Sequence, residues 1–188
     1  MQATLLGRVL SGYGDLRGSF RGELARISEA SLLLYAMLGC ALVFAARLPA
    51  LIATVPPGVD LADFAGAQFV GHVFFGPLML YALAALARAA ARMAGGAGGW
   101  QSGRLALFWA LLLAIPPMLV SQTIVTTLEL GGEIARAVLL LPWLAYLWFW
   151  AVGLSEFEQL RRTPLVFVAL LAVPLAFAGL LRIAASAG

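Results

Sequence analysis

The stretch ARMAGGAGGWQSGRLALFW, residues 91–109, sets Gly95, Gly96, Gly98, Gly99 and Gly103 beside Arg92 and Arg104. Glycines next to cations are the raw material of a phosphate cradle. A P-loop, however, needs GxxxxGK[ST], with backbone amides around the phosphates and a lysine between them. This chain has no lysine; all twelve of its basic residues are arginine. A dinucleotide fingerprint needs GxGxxG between a strand and a helix. After Gly96 and Gly98 the third position is Gln101, and no strand precedes it. The stretch therefore reads as a flexible connection anchored by Arg88, Arg92 and Arg104, not as a nucleotide site.

Other reactive groups are sparse. The one histidine, His72, has Gln68 one helical turn before it. A histidine inside an apolar span is a site candidate, although near an interface it also hydrogen-bonds a neighbouring helix or water. Zinc needs a second histidine or a pair of cysteines, and Cys40 stands alone in an apolar run. HExxH and GxSxG are both missing. Pro116 and Pro117 are followed one turn later by Ser121, Gln122 and Thr123, whose side chains could bond the carbonyls that the prolines release. Gln68, His72, Ser121 and Gln122 thus form the candidate polar intramembrane site. No catalytic residue, metal, cofactor or nucleic-acid partner is expected.

The elements that carry these residues are set by hydropathy. Hydrophobic residues make up 63% of the 188, charged residues only 11%, and the mean hydropathy is +0.97. A soluble domain carries about 25% charged residues, so lipid, not water, must solvate most of this surface. Apolar runs of about 20 residues match a hydrocarbon core of about 30 Å. Five spans are expected, at about 30–46, 67–87, 105–128, 137–154 and 165–181, the first tilting on through RLPALIATV. They form a transmembrane domain over 30–188, behind an N-terminal segment over 1–29.

The arginines orient these spans. Arg8, Arg17, Arg21 and Arg26 precede the first, Arg88, Arg92 and Arg104 follow the second, and Arg161 and Arg162 follow the fourth. Only Arg47, Arg136 and Arg182 fall on the other side. Nine against three places the N-terminus in the cytoplasm and the C-terminus outside. Asp60, Asp63, Glu129 and Glu133 then form an acidic outer rim. Arg8, Arg17, Arg21, Arg26, Arg88, Arg92 and Arg104 become candidate contacts for lipid or a partner.

In the N-terminal segment, Leu6, Val9, Tyr13, Leu16, Phe20, Leu24 and Ile27 recur at steps of three and four. That is one face of a helix. The expectation is an amphipathic helix along the interface, weakened by Gly7, Gly12, Gly14, Gly18 and Gly22; the alternative is packing on the protein's own spans. These residues lack an uninterrupted apolar stretch, so no cleavable signal is expected. In PWLAYLWFW, Trp143, Tyr146, Trp148 and Trp150 spread along one span and read mainly as packing residues. Ala85 with Ala89, and Ala87 with Ala91, offer small faces for close helix approach.

The stretch GGAGGWQSGRLALFWALLLAIPPMLV resembles the signature region of bacterial YIP (Ypt-interacting-protein) family membrane proteins of the alphaproteobacterial type. SEASLLLYAMLGCALVFAARLP, FGPLMLYALAALA and the glutamates of GLSEFEQL resemble it as well, so the likeness covers most of residues 15–175. It implies five spans in a bacterial inner membrane, with a cytoplasmic N-terminus. Eukaryotic members bind small GTPases through a long polar N-terminal region, which is not evident in the thirty or so residues before the first span. The expected function is a non-enzymatic scaffold, assembly factor or membrane-organising partner. It would act on membrane lipids together with another integral membrane protein or complex, or with itself as a homo-oligomer. The alternative is a small transporter or pore that uses the kinked third span with Gln68, His72 and Gln122.

Overall fold

The computed structural model describes residues 4–186, all of whose regular structure is helical. Residues 1–3 of the N-terminal segment and 187–188 of the transmembrane domain lie outside the described residues. The order is α1 (Leu5–Gly12), α2 (Leu16–Leu24), α3 (Glu29–Ala53), α4 (Leu61–Val70), a π turn (Gly71–Phe75), α5 (Gly76–Met93), α6 (Trp100–Thr127), α7 (Gly132–Phe157) and α8 (Thr163–Ser186). The segment Leu61–Met93 runs on as a 33-residue rod through the π turn, and four elements are long and apolar enough to cross a bilayer: α3, this rod, α6 and α7. The first four expected spans coincide with these elements, the third to within one residue of the end of α6, whereas the fifth, 165–181, falls in α8, which is not among the four.

Helix ends follow local chemistry. Ser28 and Asp60 cap α3 and α4, accepting from the N–H groups of Ser31 at 3.1 Å and of Ala62 at 2.8 Å. α5 stops where Gly95 turns to φ +88°, which lets the Gly96 N–H reach the Ala91 carbonyl at 2.8 Å.

The N-terminal stripe does not form one helix. It breaks at Tyr13–Asp15, where the Asp15 carboxylate accepts from the Gly18 N–H at 2.9 Å and starts a second helix. α1 and α2 fold against each other, with Gly12 beside Ser19 and Arg8 beside Glu23. Val9 and Phe20 are buried and Leu16 and Ile27 are packed against the core, while Leu6 and Leu10 point outward. The hairpin packs on the protein's own helices.

α6 is the axis, flanked by α3, α5 and α7 and touched by both hairpin helices. From Ser102 to Ile115 it is almost wholly buried; beyond Pro117 most of its residues are exposed. One half of the bundle is closed and the other is open, because only the closed half has the hairpin. Trp109 donates from Nε1 to Ser19 Oγ at 2.9 Å, and Phe20 meets Phe157 edge-on with centroids 5.8 Å apart.

The hairpin also satisfies backbone that the proline doublet leaves open. Pro117 has no N–H, so the Leu113 carbonyl four residues earlier loses its helical donor. The Tyr13 hydroxyl donates to that carbonyl. Partial burial pushes the Tyr13 phenol up to about 12, so it keeps its donor proton at neutral pH. Ser121, Gln122 and Thr123 are not the donors there; Thr123 and Thr126 donate instead to Leu119 and Gln122 on their own helix.

Two outcomes follow from this packing. Tyr13→Phe leaves a carbonyl without a partner and should destabilise the detergent-solubilised protein by about 1–3 kcal/mol; in a Pro117→Ala background, where an N–H returns, most of that loss should vanish. Gly153→Ala would bring a Cβ to 2.5 Å from the Phe20 ring, which is sealed and cannot move aside. Its expected cost is about 1–3 kcal/mol, read from the thermal unfolding midpoint.

Candidate functional site

Four carboxylates collect at the closed end of the bundle: Glu23, Glu29, Glu156 and Glu158. Each is held by an arginine from a different element.

The deepest pair is Arg88 with Glu158. Arg88 Nη1 donates to Glu158 Oε2 at 3.3 Å, and the two side chains are only 8% and 0% exposed. Burial on this scale removes water from both charges, so other donors and acceptors must replace it. The glycine-rich loop supplies them. The Gly98 N–H donates to Glu158 Oε2 at 2.8 Å, the Gly98 carbonyl accepts from Arg88 Nη2, and the Ala97 N–H reaches the Glu158 carbonyl at 3.3 Å.

The glycines are there because the loop lies directly on the carboxylate. A Cβ at Gly96 would sit 2.5 Å from Glu158 Oε2; one at Gly98 would sit 2.8 Å from its Cδ and 2.9 Å from the Phe157 carbonyl. At Gly103, by contrast, a Cβ would meet the Arg88 stem only in ordinary contact, at 3.4 Å. Instead of a slack hinge, the loop is a backbone clamp. Glu158 Oε1 and Arg88 Nε are enclosed without partners among the described residues, so part of the desolvation cost of the pair is not offset. An arginine locked onto a carboxylate that water cannot reach is a tie between α5, the loop and the end of α7.

The other pairs extend the tie. Arg8 on α1 grips Glu23 on α2 from Nη1 at 3.0 and 3.1 Å, and the Tyr35 hydroxyl on α3 donates to the same carboxylate at 2.7 Å. Arg104 on α6 forks onto Glu29 on α3, both bonds 2.7 Å, with Gln101 adding a third at 3.1 Å. Arg17 and Arg21 on α2 share Glu156 on α7 at 3.2 and 2.6 Å. Arg17 also donates to Thr163 Oγ1 at the start of α8, at 3.0 Å.

The arginine candidates thus divide. Arg8, Arg88 and Arg104 turn onto internal carboxylates, whereas Arg17, Arg21, Arg26 and Arg92 stay exposed. The polar candidates do not meet. His72 lies in the π turn, its Nδ1 2.8 Å from the Gln68 carbonyl and its ring beside Phe44. That turn packs on α3 and its own rod, not on α6, so Ser121 and Gln122 are elsewhere. Of the aromatic run, Trp150 is buried and Trp148 meets Phe167 of α8 edge-on at 5.6 Å. Of the small faces, Ala87 and Ala91 pack into the core while Ala89 is exposed. Sequence reasoning gave the glutamates at 23, 29, 156 and 158 no structural role; their concentration with arginines in the N-terminal segment and at the end of the fourth span was the available signal.

Comparison with protein-family models, with curated proteins and with solved structures finds no match to this chain.

Removing one partner of a sealed pair strands the other charge. Arg88→Met is therefore expected to cost about 3–5 kcal/mol, whereas Arg88→Met combined with Glu158→Leu should lie closer to the parent than either single change. A double-mutant cycle on unfolding in mild detergent measures this. Gly98→Ala should lower stability without removing any charge.

Proposed function

We propose that this chain is a five-span bacterial inner-membrane protein of the YIP type that serves as a scaffold, assembly factor or membrane-organising partner for another membrane complex. The observation that carries the reading is the division of the bundle into a clamped end and an open end. The arginine–carboxylate ties make the first a fixed platform. The second leaves apolar helix faces available to lipid or to other helices.

Charge supports the orientation. The clamped end holds nine arginines against five acids, Asp15, Glu23, Glu29, Glu156 and Glu158, a net of +4. By the positive-inside tendency this end belongs in the cytoplasm. α8 supports a fifth crossing: between Arg162 and Arg182 lie 19 uncharged residues, roughly 28 Å of helix against a core of about 30 Å. The C-terminus is then periplasmic. The YIP assignment rests on the motifs quoted above and on this topology. The outward residues Leu6 and Leu10 of α1, 65% and 53% exposed, give the platform an apolar edge for a partner or for lipid.

Purification from native membranes in mild detergent, with a photo-crosslinker at position 6 or 10, tests this. The expected result is a discrete crosslinked membrane protein, or a second copy of the chain, that is lost when the crosslinker moves into the buried position 9. A clean monomer without protein or lipid at any position would contradict it.

One observation favours a second reading, transport: π turns recur at functional positions, and this one carries His72. The turn does not meet Gln122 within one chain, so a pathway through both would need a second copy. Flux in liposomes that is abolished by His72→Ala would support transport over scaffolding.

A further inference from the structure

We propose that the elbow between α7 and α8 is a binding site for an anionic phospholipid of the cytoplasmic leaflet, whose phosphate is held by Arg17, Arg21, Arg161 and Arg162. The inference rests on the membrane reading above and deepens it by naming the ligand class and the residues.

Geometry and chain order bring the four arginines together. Arg17 and Arg21 are one turn apart on α2 and both reach over Glu156. Arg17 also bonds Thr163, the residue that follows Arg161 and Arg162. A hydrogen bond thus pins α2 to the point where the chain turns into α8, and Arg161 and Arg162 immediately precede that point in the chain.

Arg17 and Arg21 share the Glu156 carboxylate, with Asp15 also near Arg21, and Arg161 and Arg162 add two further positive charges beside it in the chain. The carboxylate lies underneath: the Glu156 side chain is 15% exposed, those of Arg17 and Arg21 54% and 65%. Arg21 spends only Nε on Glu156, so its two terminal nitrogens remain donors among the described residues. Arg161 and Arg162 are exposed and their side chains make no hydrogen bond or ion pair among the described residues, although the Arg162 carbonyl accepts from the Leu165 N–H at 3.0 Å. Planar guanidinium forks match phosphate oxygens in pairs.

The surroundings favour lipid over a soluble anion. Leu165 and Val168, one turn apart on α8 and 58% and 57% exposed, begin an apolar track at the elbow. If α8 crosses the bilayer, Arg161 and Arg162 stand at headgroup depth and this track faces the acyl chains. Basic pockets between helices on the cytoplasmic side suit such headgroups. A cleft of about 450 Å³ opens on the glycine-loop side of Arg21, lined also by Leu24, Gly98, Glu156, Phe157 and Gln159; Arg21 is the one arginine of the four that lines it.

The test uses the full-length protein in detergent, titrated with phosphatidylglycerol or phosphatidylcholine and read by native mass spectrometry. Phosphatidylglycerol should be retained in preference. Arg161→Gln/Arg162→Gln should weaken it roughly tenfold while phosphatidylcholine is unaffected; neither side chain bonds the fold, the backbone bonds of Arg162 survive the change, and circular dichroism should show the helices unchanged. Arg26→Gln/Arg92→Gln, equal in charge and also at the clamped end, should leave the preference intact. Equal retention of the two lipids overturns the proposal. So does an equal loss in the control pair, which would mark a diffuse field, or full displacement by millimolar inorganic phosphate, which would mark a soluble-anion site. Alkaline extraction of cell membranes scores the underlying reading separately. A chain that resists extraction yet ignores lipid charge defeats only the site; an extracted chain defeats both.

Discussion

A guanidinium and a carboxylate taken out of water together constrain everything around them. Arg88 and Glu158 lie almost fully enclosed, and the desolvation of the pair is offset in part by the further hydrogen bonds that the glycine loop makes to both. The loop after α5 must therefore pass close enough for its amides to serve, which excludes side chains at 96 and 98. The end of α7 must stay against that loop, and α6 must begin where the loop leaves off. One pair thereby sets the relative positions of three helix ends.

The same chemistry is repeated outward at lower cost. Glu29 and Glu156 sit nearer the surface, where their arginines hold helices together while keeping contact with water. Glu23 is buried but accepts three hydrogen bonds, two from Arg8 Nη1 and one from the Tyr35 hydroxyl. The hairpin α1–α2 is bound on both sides by these pairs, and this gives twenty N-terminal residues a fixed place on the bundle. That placement closes one half of α6 and brings Tyr13 to the carbonyl that Pro117 leaves open. The opposite half of the bundle, with no comparable network, exposes its apolar faces as a lipid-solvated surface does.

Much of the architecture was legible in the sequence, and the reason is physical. A span must be apolar for about twenty residues, so spans show in composition: the helices at 29–53, 61–93, 100–127 and 132–157 carry the first four expected runs, the third to within one residue, and are long and apolar enough to cross. The seven-residue stripe of the N-terminal segment correctly gave a helical face, and Val9 and Phe20 are its buried members. The break at Tyr13–Asp15 was hidden because stripe periodicity survives a tight reversal between two helices. The clasp was hidden for a different reason. Its partners are 70 residues apart for Arg88 and Glu158 and 135 for Arg21 and Glu156, and arginines that set topology look the same in sequence as arginines that bind carboxylates. The glycines of GGAGG were read as freedom of the backbone, whereas their use here is to remove bulk above an acid. Gln68 and His72 were grouped with Ser121 and Gln122 by polarity, although the helices that bear them do not touch.

The account depends on the arginine-clamped end facing the cytoplasm, with the open end facing out. Cysteine labelling in intact cells tests this most directly, in a Cys40→Ser background with single cysteines introduced by Ala97→Cys in the glycine loop or Gly131→Cys between α6 and α7. A membrane-impermeant maleimide should label the cysteine at 131 from outside and reach the one at 97 only after the membrane is opened. Labelling of position 97 in sealed cells, with position 131 protected, would contradict the account.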